Sequence, residues 1–510
     1  LAERRIFTSI LKLSFLILVI IFQLVFIALI YGTIHKFYIY YFALFEIINL
    51  ISVIHLNYKD KNASYKISWI LLILLIPVIG VLIYILSRIG INHNFRRINK
   101  LKMDKSVLID ENQQTLSDLK KKNKVRYNET RLIKNISNCI TYSNTKVDYF
   151  PSGEEMYKKL IVELKKAKKF IFLEYFIISD GQMWNNIFEI LKKKADSGVE
   201  VRILVDYIGS LFVFPKNLKK SAKAHNIKLK IFNPFKIMLN FMLNYRDHRK
   251  ITIIDGRIAF NGGINIGDEY INLYKKYGYW KDMSICLHGQ AVYSFTIMFL
   301  KMWQSIIKKR EDFKKYKFIA DNTAKNTNNG IVIPYYSGPV KQDEIAEDIY
   351  INIINSAKDY IYITTPYLVI GHEIILALCL AAKKGVDVRI ITPSIPDKKI
   401  IQILTRSHYD KLLEAGVKIY EYTPGFIHGK VFLSDNECAI VGTINMDYRS
   451  LFLHFECATY MYGVPAIKDI YKDLMNTIET SNEIQENVWK NRNLIKKIIE
   501  SILRMFAPLV

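Results

Sequence analysis

The sequence predicts an α/β protein of two similar domains packed about an approximate two-fold axis and preceded by N-terminal transmembrane helices. Three observations predict it. From about residue 144 onward, apolar runs rich in β-branched residues alternate with amphipathic helical patterns, as in a largely buried sheet covered by helices. That series of elements is written twice, in the same order. The first ninety residues, finally, carry apolar runs of bilayer-crossing length.

The N-terminal region, residues 1–100, opens with "SFLILVIIFQLVFIALIYGTI" (Ser14 to Ile34), which has no charge and is too long for a cleaved signal peptide. A second run, "ISWILLILLIPVIGVLIYIL" (Ile67 to Leu86), contains Pro77 and Gly80, which membrane helices tolerate. Between them "FYIYYFALFEIINLISVIHL" (Phe37 to Leu56) carries Glu46, Asn49 and His55 and reads as a crossing or as an interfacial helix. Two or three spans, about 14–34, 37–57 and 67–86, are therefore expected. The basic cluster after the last, Arg88, Arg96, Arg97, Lys100 and Lys102, outweighs Arg4, Arg5 and Lys12 before the first, which favours a cytoplasmic location for the two repeated domains.

Residues 101–143 are polar and charged and read as a juxtamembrane helix and linker. The first domain is expected over 144–320 and the second over 331–510, with "ADNTAKNTNNG" (Ala320 to Gly330) between them. "AKKFIFLEYFIISDG" (Ala167 to Gly181) is answered by "AKDYIYITTPYLVIG" (Ala357 to Gly371), and "KKKADSGVEVRILVD" (Lys192 to Asp206) by "LAAKKGVDVRIITP" (Leu380 to Pro393). Copies this long are domains and not solenoid units. The end, "NLIKKIIESILRMFAPLV" (Asn493 to Val510), reads as an amphipathic helix that either lies on a membrane or packs on the domain.

At 510 residues a large core needs no disulfides, and the five scattered cysteines form no metal-ligand spacing and suit a reducing compartment. A formal charge of +25 must face something anionic, whether nucleic acid, a phospholipid surface or a phosphate-bearing substrate. Part of it, in runs such as "KKAKK" (Lys165 to Lys169), suits a solvated helix face.

Each half then carries one polar constellation. His248 and Lys250 in "DHRKITIIDGRIAFNGGIN" match His428 and Lys430 in "GFIHGKVFLSDNECAIVGTIN". Residues i and i+2 of a strand share a face, so each pair presents an imidazole beside an ammonium. Asp255 and Asp435 follow their histidines by seven, and Asn265 and Asn445 by seventeen. One such motif could be a strand end with surface polar residues; two in register within a longer repeat are not explained that way. No HExxH or similar pattern is present, and a lysine beside each histidine would oppose a cation, so no metal and no cofactor are expected.

A phosphodiester requires this set of groups. Two lysines and two asparagine amides would hold its non-bridging oxygens, one neutral imidazole would attack phosphorus, and a second, protonated, would give its proton to the leaving alkoxide. One copy supplies half of that site.

These paired HxKxxxxD motifs resemble the phospholipase D superfamily, over most of the chain from about Val147. The strings "HRKITIIDGRIAFNGGINIGDEY", "EAGVKIYEYTPGFIHGK" and "GTINMDYRSLFLHFE" are similar to bacterial cardiolipin synthases. The resemblance implies two phospholipase D-like domains. It implies metal-independent phosphatidyl transfer from one phosphatidylglycerol to another, giving cardiolipin and glycerol through a phospho-histidine, in a multi-pass protein of the bacterial cell membrane. By position it makes His248 the nucleophile and His428 the general acid and base, with the reverse left open. It assigns Lys250, Lys430, Asn265 and Asn445 to phosphate, and Glu456 and Asp282 to orienting the histidines. Asp255 and Asp435 would hold the motif's strand and loop. Thr443 offers a hydroxyl to phosphate where the first copy has Gly263, and Glu456 follows His428 by twenty-eight while Asp282 follows His248 by thirty-four. Within the superfamily a hydrolase or a transferase with another alcohol acceptor stays open. A membrane-anchored nuclease is disfavoured by the apolar spans, so no nucleic-acid partner is expected.

Overall fold

The computed structural model describes residue 25 and residues 38–59, 63–89, 113–234, 245–318, 330–339 and 344–509. The chain divides into two compact units, one formed mainly by the first ninety-two residues and one that holds both repeats.

The expected span 14–34 lies outside the described residues, apart from Val25. In the N-terminal unit the expected span 37–57 falls on a 22-residue helix, Tyr38–Lys59. The expected span 67–86 is corrected: it is two 13-residue helices, Ala63–Leu75 and Pro77–Ile89. Pro77 has no N–H to continue the ladder and its ring clashes with the preceding turn. The chain turns so sharply there that a Cβ on Gly80 would lie 2.6 Å from the Leu72 carbonyl oxygen. Leu56, Trp69, Ile73, Val81 and Tyr84 form a small core, while Leu44, Leu50, Ile54, Leu74 and Leu75 are exposed. No described helix is long and apolar enough to cross a membrane.

The second unit carries two mixed sheets. Its first eight strands are β1 (Thr145–Phe150), β2 (Phe170–Tyr175), β3 (Glu200–Asp206), β4 (Lys228–Phe232), β5 (Lys250–Ile254), β6 (Ile258–Gly262), β7 (Tyr279–Lys281) and β8 (Ser284–Gly289). All but β7 form one sheet in the order β1-β8-β6-β5-β2-β3-β4. The next eleven are β9 (Ile331–Ser337), β10 (Tyr360–Thr364), β11 (Leu368–Val369), β12 (Asp387–Pro393), β13 (Lys418–Tyr422), β14 (Gly425–Ile427), β15 (Val431–Ser434), β16 (Cys438–Gly442), β17 (Met446–Asp447), β18 (Glu456–Tyr462) and β19 (Ser481–Glu483). The second sheet runs β19-β13-β12-β10-β15-β16-β18-β9, so that apart from β19 every strand has its counterpart in the first.

β2 and β10 sit centrally in the two sheets, each with one parallel and one antiparallel neighbour. Buried on both faces, "FIFLEY" needs to be apolar almost throughout. β5 returns through Asp255 and Gly256, at φ 53° and 68°, and β15 through Asp435 and Asn436, at 55° and 51°. These are three-residue hairpin loops, 255–257 and 435–437, whose first two positions are left-handed and favour Asp, Asn and Gly.

The described part of residues 101–143 is largely helical, as expected, but it is packed against the globular unit and is no free linker. Helices Gln113–Lys122 and Lys124–Ser137 pack on the second half, where Leu119 and Ile133 join its core. The buried Arg126 guanidinium pairs there with Glu129 at 2.8 Å, Asp435 at 3.0 Å and Glu437 at 2.9 Å.

The two halves also cross-pair. β14, leading into His428, runs parallel to β7, which leads into Asp282, and Asp247 forms a bridge with Phe455. His428 N–H donates to the Lys281 carbonyl at 2.7 Å and His248 N–H to the Phe455 carbonyl at 2.9 Å. Each histidine is thus fastened to the residue preceding a carboxylate of the other half.

Candidate active site

Strand geometry sets the first feature. His248 and Lys250 point to one side of their strand, while the intervening Arg249 points to the other and pairs with Glu174 at 2.8 Å and Asp247 at 3.0 Å. In the second copy that position is Gly429, where a Cβ would fall 1.8 Å from Met283 Sδ.

The cross-half pairing sets the second. His248 Nδ1 lies 2.9 Å from Glu456 Oε1, and His428 Nδ1 lies 2.6 Å from Asp282 Oδ2, with both carboxylates fully buried. An ionised carboxylate can only accept, so Nδ1 carries the proton in each ring and Nε2 is left with a lone pair or a second proton. The carboxylates are held differently. Glu456 Oε2 accepts from the Thr443 hydroxyl, whereas Asp282 Oδ1 accepts from the Met283 backbone N–H at 2.9 Å. Gly263, the counterpart of Thr443, is forced by this: a Cβ there would lie 2.1 Å from Asp282 Oδ1.

Both lysines are buried, and each donates to the carbonyl of its own histidine, Lys250 at 2.5 Å. Neither makes an ion pair among the described residues. Burial pushes the Lys250 ammonium down to about 7 and Lys430 to about 8, against the pull of Glu456 and Asp282. Burial and then Lys430 push His428 down to about 4; burial, Lys250 and Lys430 push His248 well below the usual imidazole range. The site is a buried cleft in which two lysines and two imidazoles face two carboxylates, and where a fixed field acts with little screening.

Of the other expected residues, Asp255 and Asp435 stand at the strand ends as expected, whereas Thr443 and the two asparagines are engaged differently from what the sequence suggested. Asp255 and Asp435 lie at the far ends of β5 and β15, several residues of extended chain from the imidazoles, and take no part in the cleft. Asp255 accepts from the N–H groups of Lys168, Lys169 and Phe170 at 2.8, 2.7 and 2.9 Å, and Asp435 does the same for Lys358, Asp359 and Tyr360. The Thr443 hydroxyl, expected toward phosphate, is directed to Glu456. The Asn265 amide is engaged at both ends, accepting from Ile177 N–H and donating to the Tyr270 hydroxyl at 2.7 Å. Asn445 donates to Asp447 at 3.0 Å and leaves its Oδ1 buried without a partner among the described residues.

Sequence reasoning missed His454. Its ring lies 5.4 Å from that of His248, its Nδ1 is 3.7 Å from Glu456 Oε1, and burial pushes it down to about 3. The i, i+2 rule that paired His248 with Lys250 would have placed it beside Glu456. His248, His454 and Glu456 bring donor atoms within 4.8 Å of one another, a set a metal ion could use only by displacing the His248–Glu456 hydrogen bond.

Two duplicated α/β halves sharing one cleft of two histidines and two lysines define a phospholipase D-like protein. The fold matches the phosphatidylserine synthase of Haemophilus influenzae Rd KW20 with a TM-score of 0.57, over 75% of this chain and 97% of that one, at 14% identity. The model for "Cardiolipin synthase, PLD-like domain" matches residues 160–303 and 350–478, and that for "Phospholipase_D-nuclease N-terminal" matches 42–88. Over 461 residues the chain is 33% identical to a cardiolipin synthase of Halalkalibacterium halodurans and 34% to one of Alkalihalophilus pseudofirmus, covering 89% of this chain and 90% of each of those. An uncharacterized protein of Streptococcus mutans is 41% identical over 463 residues, 90% of this chain and 99% of that protein. The chain belongs to the cardiolipin synthase family and is a phosphatidyltransferase of the phospholipase D superfamily.

Proposed function

We propose that this chain joins two phosphatidylglycerol molecules into cardiolipin, releasing glycerol, through a phospho-histidine on His248. The observation that carries the proposal is the cross-half pairing of each catalytic imidazole with a buried carboxylate. With Nδ1–H held by Glu456, the Nε2 lone pair of His248 attacks phosphorus, and the positive charge the ring acquires sits against that carboxylate. The bond from phosphorus to the glycerol oxygen breaks, and that oxygen takes the Nε2 proton of His428, whose cation Asp282 stabilises. Neutral His428 then accepts the proton of a hydroxyl on the second phosphatidylglycerol as that oxygen attacks phosphorus. The P–N bond breaks and its electron pair returns to His248.

Burial, Lys250 and Lys430 push His248 well below the usual imidazole range, which keeps its Nε2 lone pair available for attack, while Asp282 is the group that pulls His428 back toward its protonated form. Lys250 and Lys430 neutralise the non-bridging oxygens, and the anion in turn restores their charge. Asn265 and Asn445 orient the site through Tyr270 and Asp447, or turn to the phosphate when those bonds open. The two halves act as the domains 144–320 and 331–510, with no metal or other cofactor.

The proposed location is the cell membrane, multi-pass, with the catalytic halves cytoplasmic. Support comes from the apolar run 14–34 and from the exposed apolar side chains of the N-terminal helices. Leu211, Phe212, Ile395 and Ile400, just beyond the ends of β3 and β12, are exposed too, as are Leu494, Ile495, Ile498 and Ile502 on helix Leu494–Met505. Incubating the reconstituted protein with labelled phosphatidylglycerol is the test. Cardiolipin with free glycerol is expected, and phosphatidic acid alone would mean that water is the acceptor.

A further inference from the structure

One aromatic ring away from His428 lies a small hollow to which the mechanism gives no task. Pro366, Tyr367, Pro396, Asp397, Lys398 and Phe426 line it. Phe426 connects it to the reaction centre, its ring 5.9 Å from His428 and 6.5 Å from Tyr367. The Tyr367 hydroxyl donates to Asp397 Oδ2 at 2.7 Å and so aims the carboxylate. Asp397 Oδ1 is out of contact with solvent and has no hydrogen-bond partner among the described residues. A buried carboxylate oxygen left unpaired is costly, and so close to a reaction centre it offers a place to a donor that arrives with the substrate. Lys398, exposed, extends over the Tyr367 ring at 5.1 Å and is free to swing aside.

The charges of this segment reach the cleft. Asp397 is among the groups that hold up Lys430, and Lys398 is among those that push His248 down. Beside Asp397 and the Lys398 ammonium the hollow is lined by the neutral polar side chains of Tyr367, Gln402 and Thr405, and an ammonium already present suits a neutral hydroxyl better than a second cation.

We propose that this hollow is the subsite for the alcohol exchanged in the reaction, and that Asp397 Oδ1 accepts a hydrogen bond from the hydroxyl adjacent to the reacting one, so that the site selects vicinal diols. This rests on the synthase reading, since a phosphatidylglycerol headgroup presents a reacting hydroxyl beside a second one. With that second hydroxyl on Asp397, the reacting oxygen is turned toward His428; water and simple alcohols gain nothing from the contact. Asp397 is thus a specificity-determining residue.

The test is competition between small acceptors in the reconstituted full chain, with labelled phosphatidylglycerol as donor and 1,2-propanediol, 1-propanol or ethanolamine supplied at equal concentration. A hydrogen bond to a charged acceptor gives a diol-over-monoalcohol preference of roughly 10- to 100-fold in the wild type. Asp397→Ala should bring that ratio to within about threefold, and Tyr367→Phe, which removes the aiming bond, to a value between the two. Asp397→Asn, close in size and with one acceptor left, should also fall between and serves if the alanine variant does not fold. A wild-type ratio near one, or a ratio unchanged in a folded Asp397 variant, would overturn the subsite. So would a preference for ethanolamine over the diol that vanishes in Asp397→Ala, which would make the hollow an ammonium site. Failure of the synthase reading is distinguishable, because the wild type would then make no cardiolipin from phosphatidylglycerol alone.

Discussion

Replacing each orienting carboxylate by its amide should have unequal effects, although the chemistry of the change is the same. Glu456 has one oxygen on His248 and the other on the Thr443 hydroxyl, which also lies 3.1 Å from the Cys457 carbonyl. In Glu456→Gln the amide oxygen can keep His248 while its NH2 donates to Thr443, whose proton turns to Cys457. Only charge assistance is lost, about 1–2 kcal/mol, or roughly 5- to 30-fold in kcat. Asp282 must accept twice, from His428 and from the Met283 N–H. In Asp282→Asn one of these faces an NH2, so either His428 takes the wrong tautomer or a buried backbone donor is orphaned. That adds about 1–3 kcal/mol, for a total of roughly 30- to 5,000-fold. The assay is cardiolipin formation at saturating phosphatidylglycerol, with thermal denaturation to verify folding. A Glu456→Gln variant as impaired as Asp282→Asn, or more so, would refute the assignment of these hydrogen bonds.

Removing either histidine should abolish transfer while a folded protein remains; acid-labile label on His248 is expected in a wild-type peptide map, and label on residue 428 instead would reverse the roles. A bound anion raises the lysines above about 7 and 8, so binding takes up protons. Affinity for tungstate, whose charge is constant over this range, should be greatest below pH 7. It should weaken by about tenfold per pH unit for each lysine that loses its proton above that. Calorimetry in buffers of different ionisation enthalpy should show the uptake, and a flat profile would contradict it. Asp435→Ala should lower unfolding stability more than Asp255→Ala. Both remove the acceptor of three backbone N–H groups, of which water can serve the two on exposed residues, for about 1–2 kcal/mol, but only the first also deprives buried Arg126 of a carboxylate at 3.0 Å. Equal shifts in urea midpoints would argue against that ranking.

The sequence by itself determined the duplicated fold and the chemistry of the cleft. That His248 shares a face with Lys250, and His428 with Lys430, is a consequence of the covalent geometry of a strand, which any two residues i and i+2 obey. The Asp-Gly and Asp-Asn hairpins were legible in the same way, since a left-handed turn admits few residue types. His454 was equally legible, two residues before Glu456, and was missed only because it stands outside the repeated motif. Only the tertiary structure decided which half each carboxylate serves. The spacings of twenty-eight and thirty-four residues are compatible with pairing within a half or across halves. Crossing is fixed by β7 lying against β14 and by Asp247 lying against Phe455. The folding back of the 67–86 segment and the docking of Arg126 on Asp435 were hidden for the same reason. Local periodicity is written in neighbouring residues, whereas the partner of a buried charge depends on how whole faces pack, and that is spread over the chain.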